Sequence, residues 1–184
     1  MHTIDTAVQN YFTYARSADM TQVMFVFTNL FNPSMYSFYA FLLFALLIAV
    51  VRNIRYSLLF SFSIIFSTLI VYLMKIALDI HRPVGGLVQV IGPSFPSFHA
   101  TIATIFFVML MYIFDQELNS FLRALFNALS VAAIFAVAFS RVYLGVHWVS
   151  DVFAGILLGC LLSYFYIILF RYVMDRPGPT SMIK

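Results

Sequence analysis

Charge is what this sequence has least of: only 9% of its 184 residues are Asp, Glu, Lys or Arg. Soluble domains carry roughly 25%, so a water-facing globule is excluded. The single cysteine, Cys160, rules out an intramolecular disulfide and leaves no thiolate cluster for zinc. It sits inside an apolar run and reads as packing. The net charge of +3 is too small and too scattered for a nucleic-acid partner. Met1 to Asp5 lack the basic start of a cleavable signal peptide, and no internal repeat or low-complexity tract stands out.

What the chain has instead is apolar length. Hydrophobic residues make up 63% of it, with 22 Phe and 11 Tyr, and the mean hydropathy is +0.98. About 20 apolar residues are needed to cross roughly 30 Å of hydrocarbon. Five stretches qualify, at 34–51, 56–78, 98–114, 121–142 and 149–172. At this chain length they must form one bundle, so the expected fold is all-α: an integral membrane bundle of five to six transmembrane helices. Ile4, Val8, Tyr11, Phe12 and Ala15 share one face of a short amphipathic segment, and residues 20–31 are apolar but too few to cross alone. Arg16 to Asp19 interrupt these two stretches, and Asn32-Pro33 ends the second. Residues 1–33 are therefore expected to lie in the interface or to insert partly. Residues 34–176 would form the transmembrane bundle, and 177–184 a short tail.

If the five spans alternate, Arg52, Arg55, Arg123, Arg171, Arg176 and Lys184 fall on one side, which places that side and the C-terminus in the cytoplasm. Lys75, Arg82 and Arg141 fall on the other. Charge near the hydrocarbon is costly and normally faces a partner or a polar cavity. A lone lysine at Lys75 would be explained by snorkelling, but that does not explain two arginines and two histidines reaching the same face.

These residues sit in three short stretches. The first runs from Lys75 to Arg82-Pro83. The second, Pro96-Ser97-Phe98-His99, opens an apolar run, so Ser97 is a candidate N-cap and the first-turn N–H groups form an anion site. The third runs from Ser140-Arg141 through Gly145 and His147 to Asp151. His147 and Asp151 are four apart, one helical turn, and a carboxylate behind an imidazole suits a nucleophile or proton carrier. An ion pair closing a helix end is the alternative for that pair alone. Taken together, three fixed cations, a helix start and two histidines describe a phosphate pocket with a nucleophile and an acid. Arginine grips phosphate oxygens bidentately, lysine as a point charge. These cations already neutralise the phosphoryl oxygens and no acidic cluster is available for magnesium, so no metal or other cofactor is expected.

The three stretches, in this order, resemble the motifs of the type 2 phosphatidic acid phosphatases (PAP2, or lipid phosphate phosphatases). Those motifs are Lys, six residues, Arg-Pro; Pro-Ser-Gly-His; and Ser-Arg, five residues, His, three residues, Asp. One position departs: Phe98 stands where the family usually has glycine, which keeps the backbone N–H but adds bulk beside the pocket. The resemblance implies that His147 attacks phosphorus to form a phosphohistidine, with Asp151 orienting it. His99 would protonate the leaving oxygen and then activate water. Lys75, Arg82, Ser97, Arg141 and the Phe98 N–H would hold the phosphoryl oxygens. It further implies a bacterial inner-membrane enzyme with its site on the extracytoplasmic face and a membrane lipid phosphate as substrate. Undecaprenyl diphosphate ranks first, followed by phosphatidylglycerophosphate, phosphatidate and lipid A 1-phosphate. A phosphotransferase using the same site is a second reading, and a non-catalytic anion-binding protein or transporter a third. Asp79 and His81 match no motif and read as loop polar residues near a headgroup. Gly85 and Gly86 would supply turns, and Tyr143 and Trp148 would anchor at the interface.

Overall fold

A computed structural model describes residues 2–32 and 34–174. The proposed tail at 177–184, Arg176, Lys184 and the helix-ending Pro33 lie outside the described residues. Seven helices follow in order: α1 His2–Ala15, α2 Ala18–Asn29, α3 Met35–Val51, α4 Ile54–Leu78, α5 Phe98–Phe114, α6 Ser120–Tyr143 and α7 Val149–Met174. No strand occurs among the described residues.

Length separates the helices. α4, α6 and α7 are long and apolar enough to cross a membrane. α3 and α5 have 17 residues each, or about 26 Å at 1.5 Å per residue, the short end of a spanning helix. α1 and α2, with 14 and 12 residues, are too short to cross alone. Large apolar side chains such as Leu43, Val50, Ile65, Leu129, Phe153 and Leu161 point outward from α3, α4, α6 and α7. In water that surface would be untenable; against lipid it is the expected exterior.

α5 is the central post, packed against α4, α6 and α7. Its lower half fills the core with Ile105, Met109, Leu110 and Ile113, against Leu59 and Phe60 of α4, Ile48 of α3 and Tyr166 of α7. The Tyr166 hydroxyl is buried there and pairs with Ser67 Oγ at 2.9 Å. α5 and α7 approach closely because α7 presents glycine. A Cβ on Gly155 would lie 2.9 Å from the Ser97 carbonyl oxygen, and one on Gly159 would lie 2.7 Å from Thr104 Cβ. This contact brings the start of α5 onto the first turn of α7, where Ser97 N donates to the Asp151 carbonyl at 3.1 Å.

The two ends of the bundle differ in kind. At one, Arg52 pairs with Glu117 and Arg123 with Asp115, and Arg52 and Arg171 lie over the rings of Tyr56 and Tyr112. At the other, the 79–97 loop covers the turn joining α6 to α7. Leu87 N donates to the Leu144 carbonyl at 2.9 Å, and Trp148 Nε1 to the His81 carbonyl at 2.9 Å.

The N-terminal pair is tied to this second end. Asp5 of α1 accepts from Ser150 N at 2.9 Å and Ser150 Oγ at 2.7 Å, so it caps α7 from another helix. Arg16, at the α1–α2 break, donates to the Tyr143 carbonyl at 2.9 Å and the Gly85 carbonyl at 3.2 Å. Tyr143 corrects the sequence reading: it is 3% exposed, and its hydroxyl accepts from Ser17 N at 3.0 Å, so it is a buried joint between α2 and α6 rather than an interfacial anchor.

Gly145 makes the break between α6 and α7, with φ of +71°. A Cβ there would sit 2.5 Å from Arg16 Nη2 and 2.6 Å from Gln9 Nε2. Gly145→Ala is expected to cost about 1–2 kcal/mol from the left-handed backbone alone, and more because Arg16 must move. A lowered thermal midpoint in detergent, with reduced activity, is the expected result. An unchanged midpoint would mean that the turn does not need glycine.

Candidate active site

The three motifs converge at the looped end of the bundle. Lys75 comes from the last turn of α4, Arg82 from the loop, Ser97, Phe98 and His99 from the start of α5, Arg141 from the last turn of α6, and His147 and Asp151 from the turn into α7. Ser97, His99, Arg141, His147 and Asp151 are all buried.

His147 and Asp151 form the centre. His147 Nδ1 lies 3.2 Å from Asp151 Oδ2, with the two side chains 2% and 1% exposed. On the other side of the ring, Arg82 Nη1 lies 3.2 Å from Nε2. A guanidinium only donates, so Nε2 must be the accepting nitrogen and Nδ1 carries the proton toward the carboxylate. Burial first, then the charges of Arg141, Arg82 and Lys75, hold the imidazole well below its ordinary value. At neutral pH the ring is therefore uncharged, with its lone pair on the side where the cations gather.

Two of the cations are held in place by backbone carbonyls and the third by a side chain. Lys75 Nζ donates to the carbonyls of Pro93 at 2.8 Å and Ser94 at 2.9 Å. Arg82 donates to Gly92 and Pro93 at 2.9 and 3.0 Å and to Val146 at 2.8 Å. Burial pulls the Arg82 guanidinium below its usual value, and the Asp151 charge opposes this. Arg141 Nη1 donates to Thr28 Oγ1 of α2. Among the described residues three cations thus gather about His147, with Asp151 as the one carboxylate paired to it, an excess of positive charge.

Ser97 differs from the expectation in one respect. It occupies the N-cap position of α5, but its side chain makes no capping bond. Its Oγ is instead buried without a partner, as are His99 Nε2 and Arg141 Nε. Unsatisfied buried polar atoms are uncommon, and here three of them belong to three residues of one site, two from the second motif and one from the third. Phe98 is half-buried, and its ring meets the His99 imidazole edge-on at 5.9 Å.

Two residues of this site carry no signal in the sequence. Ser94 donates to Asp151 Oδ2 and lies 3.3 Å from His147 Nδ1. Thr28, 113 positions before Arg141, orients it. Asp79 and His81 do not reach the centre: both are exposed, Asp79 being the left-handed C-cap of α4 and His81 offering its carbonyl to Trp148. Trp148 is half-buried by that bond.

The family model described as the PAP2 superfamily matches residues 84–175, half of the chain. Two solved structures share the fold. The phosphatidylglycerolphosphate phosphatase of Bacillus subtilis, described as a transmembrane PAP2 type enzyme, superposes with a TM-score of 0.86 at 24% identity, covering 96% of this chain and 89% of its own. LpxE of Aquifex aeolicus superposes with a TM-score of 0.70 at 20% identity, covering 88% of this chain and 93% of its own. No curated protein sequence matches the chain. With its apolar helices and its three convergent stretches, the chain belongs to the PAP2 superfamily and has the build of that family's membrane lipid phosphatases.

Proposed function

We propose that the protein removes phosphate from a membrane lipid through a phosphohistidine formed on His147, without a metal. The observation that carries this reading is the cluster of Lys75, Arg82 and Arg141 around a neutral, carboxylate-backed imidazole, with Ser97, His99 and Arg141 each offering an unpartnered buried atom. In the first step, Nε2 of His147 bonds to phosphorus as the bond to the lipid oxygen breaks, and His99 gives that oxygen a proton. The Nδ1 proton stays shared with Asp151, which balances the charge the ring acquires. In the second step, His99 takes a proton from water, whose oxygen replaces Nε2 at phosphorus and frees inorganic phosphate. The cations stabilise the equatorial oxygens throughout, and the Phe98 N–H at the start of α5 adds a donor.

The lipid substrate would enter between helices with its phosphate at the looped end. Arg52, Arg55, Arg123 and Arg171 at the opposite end favour a cytoplasmic position for that end, so the site would face outward from a bacterial inner membrane. Undecaprenyl diphosphate heads the substrate list on the small, single-bundle build. Phosphatidylglycerophosphate stands beside it because of the likeness to the B. subtilis enzyme. A purely anion-binding protein would need the cations but not a carboxylate placed behind an imidazole.

Phosphate release from detergent-purified protein, with EDTA present, should be measured on four lipids: undecaprenyl diphosphate, phosphatidylglycerophosphate, phosphatidate and lipid A. Release that survives EDTA is expected from at least one. Complete dependence on an added divalent ion would overturn the metal-free reading. Transfer of label to a lipid acceptor with no free phosphate would replace the hydrolase by a phosphotransferase.

A further inference from the structure

Ser94 belongs to none of the three motifs, yet it is fully buried and touches both members of the central pair. Its hydroxyl donates to Asp151 Oδ2, and its oxygen lies 3.3 Å from His147 Nδ1. Asp151 Oδ2 also accepts from His147 Nδ1 at 3.2 Å and from Trp148 N at 2.9 Å. Two of these three donors come from the same short turn as Asp151 itself. Ser94 alone approaches from a separate segment, and so opposes rotation of the carboxylate away from the ring.

The backbone of Ser94 is fixed on both sides. Its N–H donates to the Ile80 carbonyl at 2.6 Å, and its carbonyl accepts from Lys75 Nζ at 2.9 Å. One residue therefore joins a phosphate-facing cation to the carboxylate behind the imidazole. The proton assignments agree with this. The hydroxyl proton goes to the carboxylate, leaving the Ser94 oxygen free to share the Nδ1 proton, which keeps Nε2 unprotonated.

We propose that Ser94 is a positioning residue of the reaction: its hydroxyl holds Asp151 against His147 Nδ1 so that Nε2 is presented to phosphorus as the neutral nucleophile. The inference rests on His147 being the nucleophile. Removing the hydroxyl frees the carboxylate to rotate off Nδ1, so the ring loses part of the counter-charge that would stabilise an imidazolium. The protonated ring is then disfavoured and the acid limb moves to lower pH, while the Nδ1 proton and the charge formed on phosphoryl transfer are less well held. The other groups bearing on His147 are Lys75 from α4, Arg82 from the loop, His99 from α5, Arg141 from α6 and Asp151 from α7. Ser94→Ala alters none of their charges.

The experiment compares wild type, Ser94→Ala, Ser94→Thr, Asp151→Asn, the Ser94→Ala/Asp151→Asn double variant and His147→Ala on one lipid phosphate in detergent. Thermal midpoints serve as folding controls. For Ser94→Ala, kcat is expected to fall roughly 10- to 100-fold, the scale of a lost hydrogen bond to a charged group. KM should stay within about threefold, and the acid limb of kcat/KM should move to lower pH. Ser94→Thr, which keeps the hydroxyl, should recover most of both. In the double variant the serine change should add little to the asparagine change, because both act through one contact. A wild-type kcat and pH profile in folded Ser94→Ala, or full additivity in the double variant, would overturn the proposal. If the alanine variant does not fold, Ser94→Cys keeps the volume, weakens the donor and is held to the same criteria. Activity retained by His147→Ala would instead overturn the nucleophile itself, whatever the serine variants do.

Discussion

His147→Ala is expected to abolish lipid phosphate release, with a loss of at least about 10⁴-fold in kcat. No other side chain among the described residues offers an accepting nitrogen between Arg82 and a buried carboxylate. The protein should still fold, since alanine in a turn held by Gly145 and by the Val146 N to Arg141 carbonyl bond leaves the backbone contacts intact. A labelled substrate should leave an acid-labile, base-stable phosphoenzyme in wild type and none in the variant. The pH profile supplies a second reading. Burial and the charges of Arg141, Arg82 and Lys75 hold His147 below its ordinary range, so the neutral nucleophile persists as pH falls. The acid limb of kcat/KM that belongs to His147 should therefore lie below that range rather than within it. A folded His147→Ala protein that releases phosphate at the wild-type rate would end the phosphohistidine mechanism.

Much of this architecture is legible in the sequence because its causes are local or compositional. Hydrocarbon thickness and helical rise decide where an uncharged run becomes a helix, and the runs at 34–51 and 98–114 correspond closely to α3 and α5. The break at Gly145 follows from a glycine between two apolar stretches and is made by a left-handed residue, as that pattern requires. The fold class was accessible for the same reasons.

The support around the site was not legible, because it depends on pairings across long stretches of chain. Nothing near Asp5 indicates that it caps the helix starting at Val149, and nothing near Thr28 points to Arg141. Tyr143 is of a residue type common at the interface, and it is buried by Phe12 and Met24 of α1 and α2, with Ser17 bonded to its hydroxyl. Ser97 illustrates the reverse case. The residue type and position say N-cap, but its hydroxyl is left free of the helix, as a group reserved for a ligand would be. Sequence reasoning reaches candidates by residue type and spacing, and misses the residues that hold them by geometry.

His99→Gln should produce the second large effect, and its size should depend on the leaving group. Glutamine keeps much of the imidazole's bulk at a buried position but transfers no proton, and general acid–base catalysis is worth about 10²–10⁴-fold. A lipid alcohol is a poor leaving group and needs protonation, so release from a lipid monoester should fall by that factor. A nitrophenyl phosphate leaves without help, so its first step should proceed nearly as in wild type. The second step still requires His99 to activate water, and the phosphoenzyme should then accumulate. The expected signature is a burst of nitrophenol equal to the enzyme concentration, followed by a slow steady rate, with labelled protein trapped on quenching. Equal losses on both substrates and no burst would remove His99 from proton transfer. The unpartnered Nε2 would then belong to phosphate binding, visible as a rise in KM on both substrates alike.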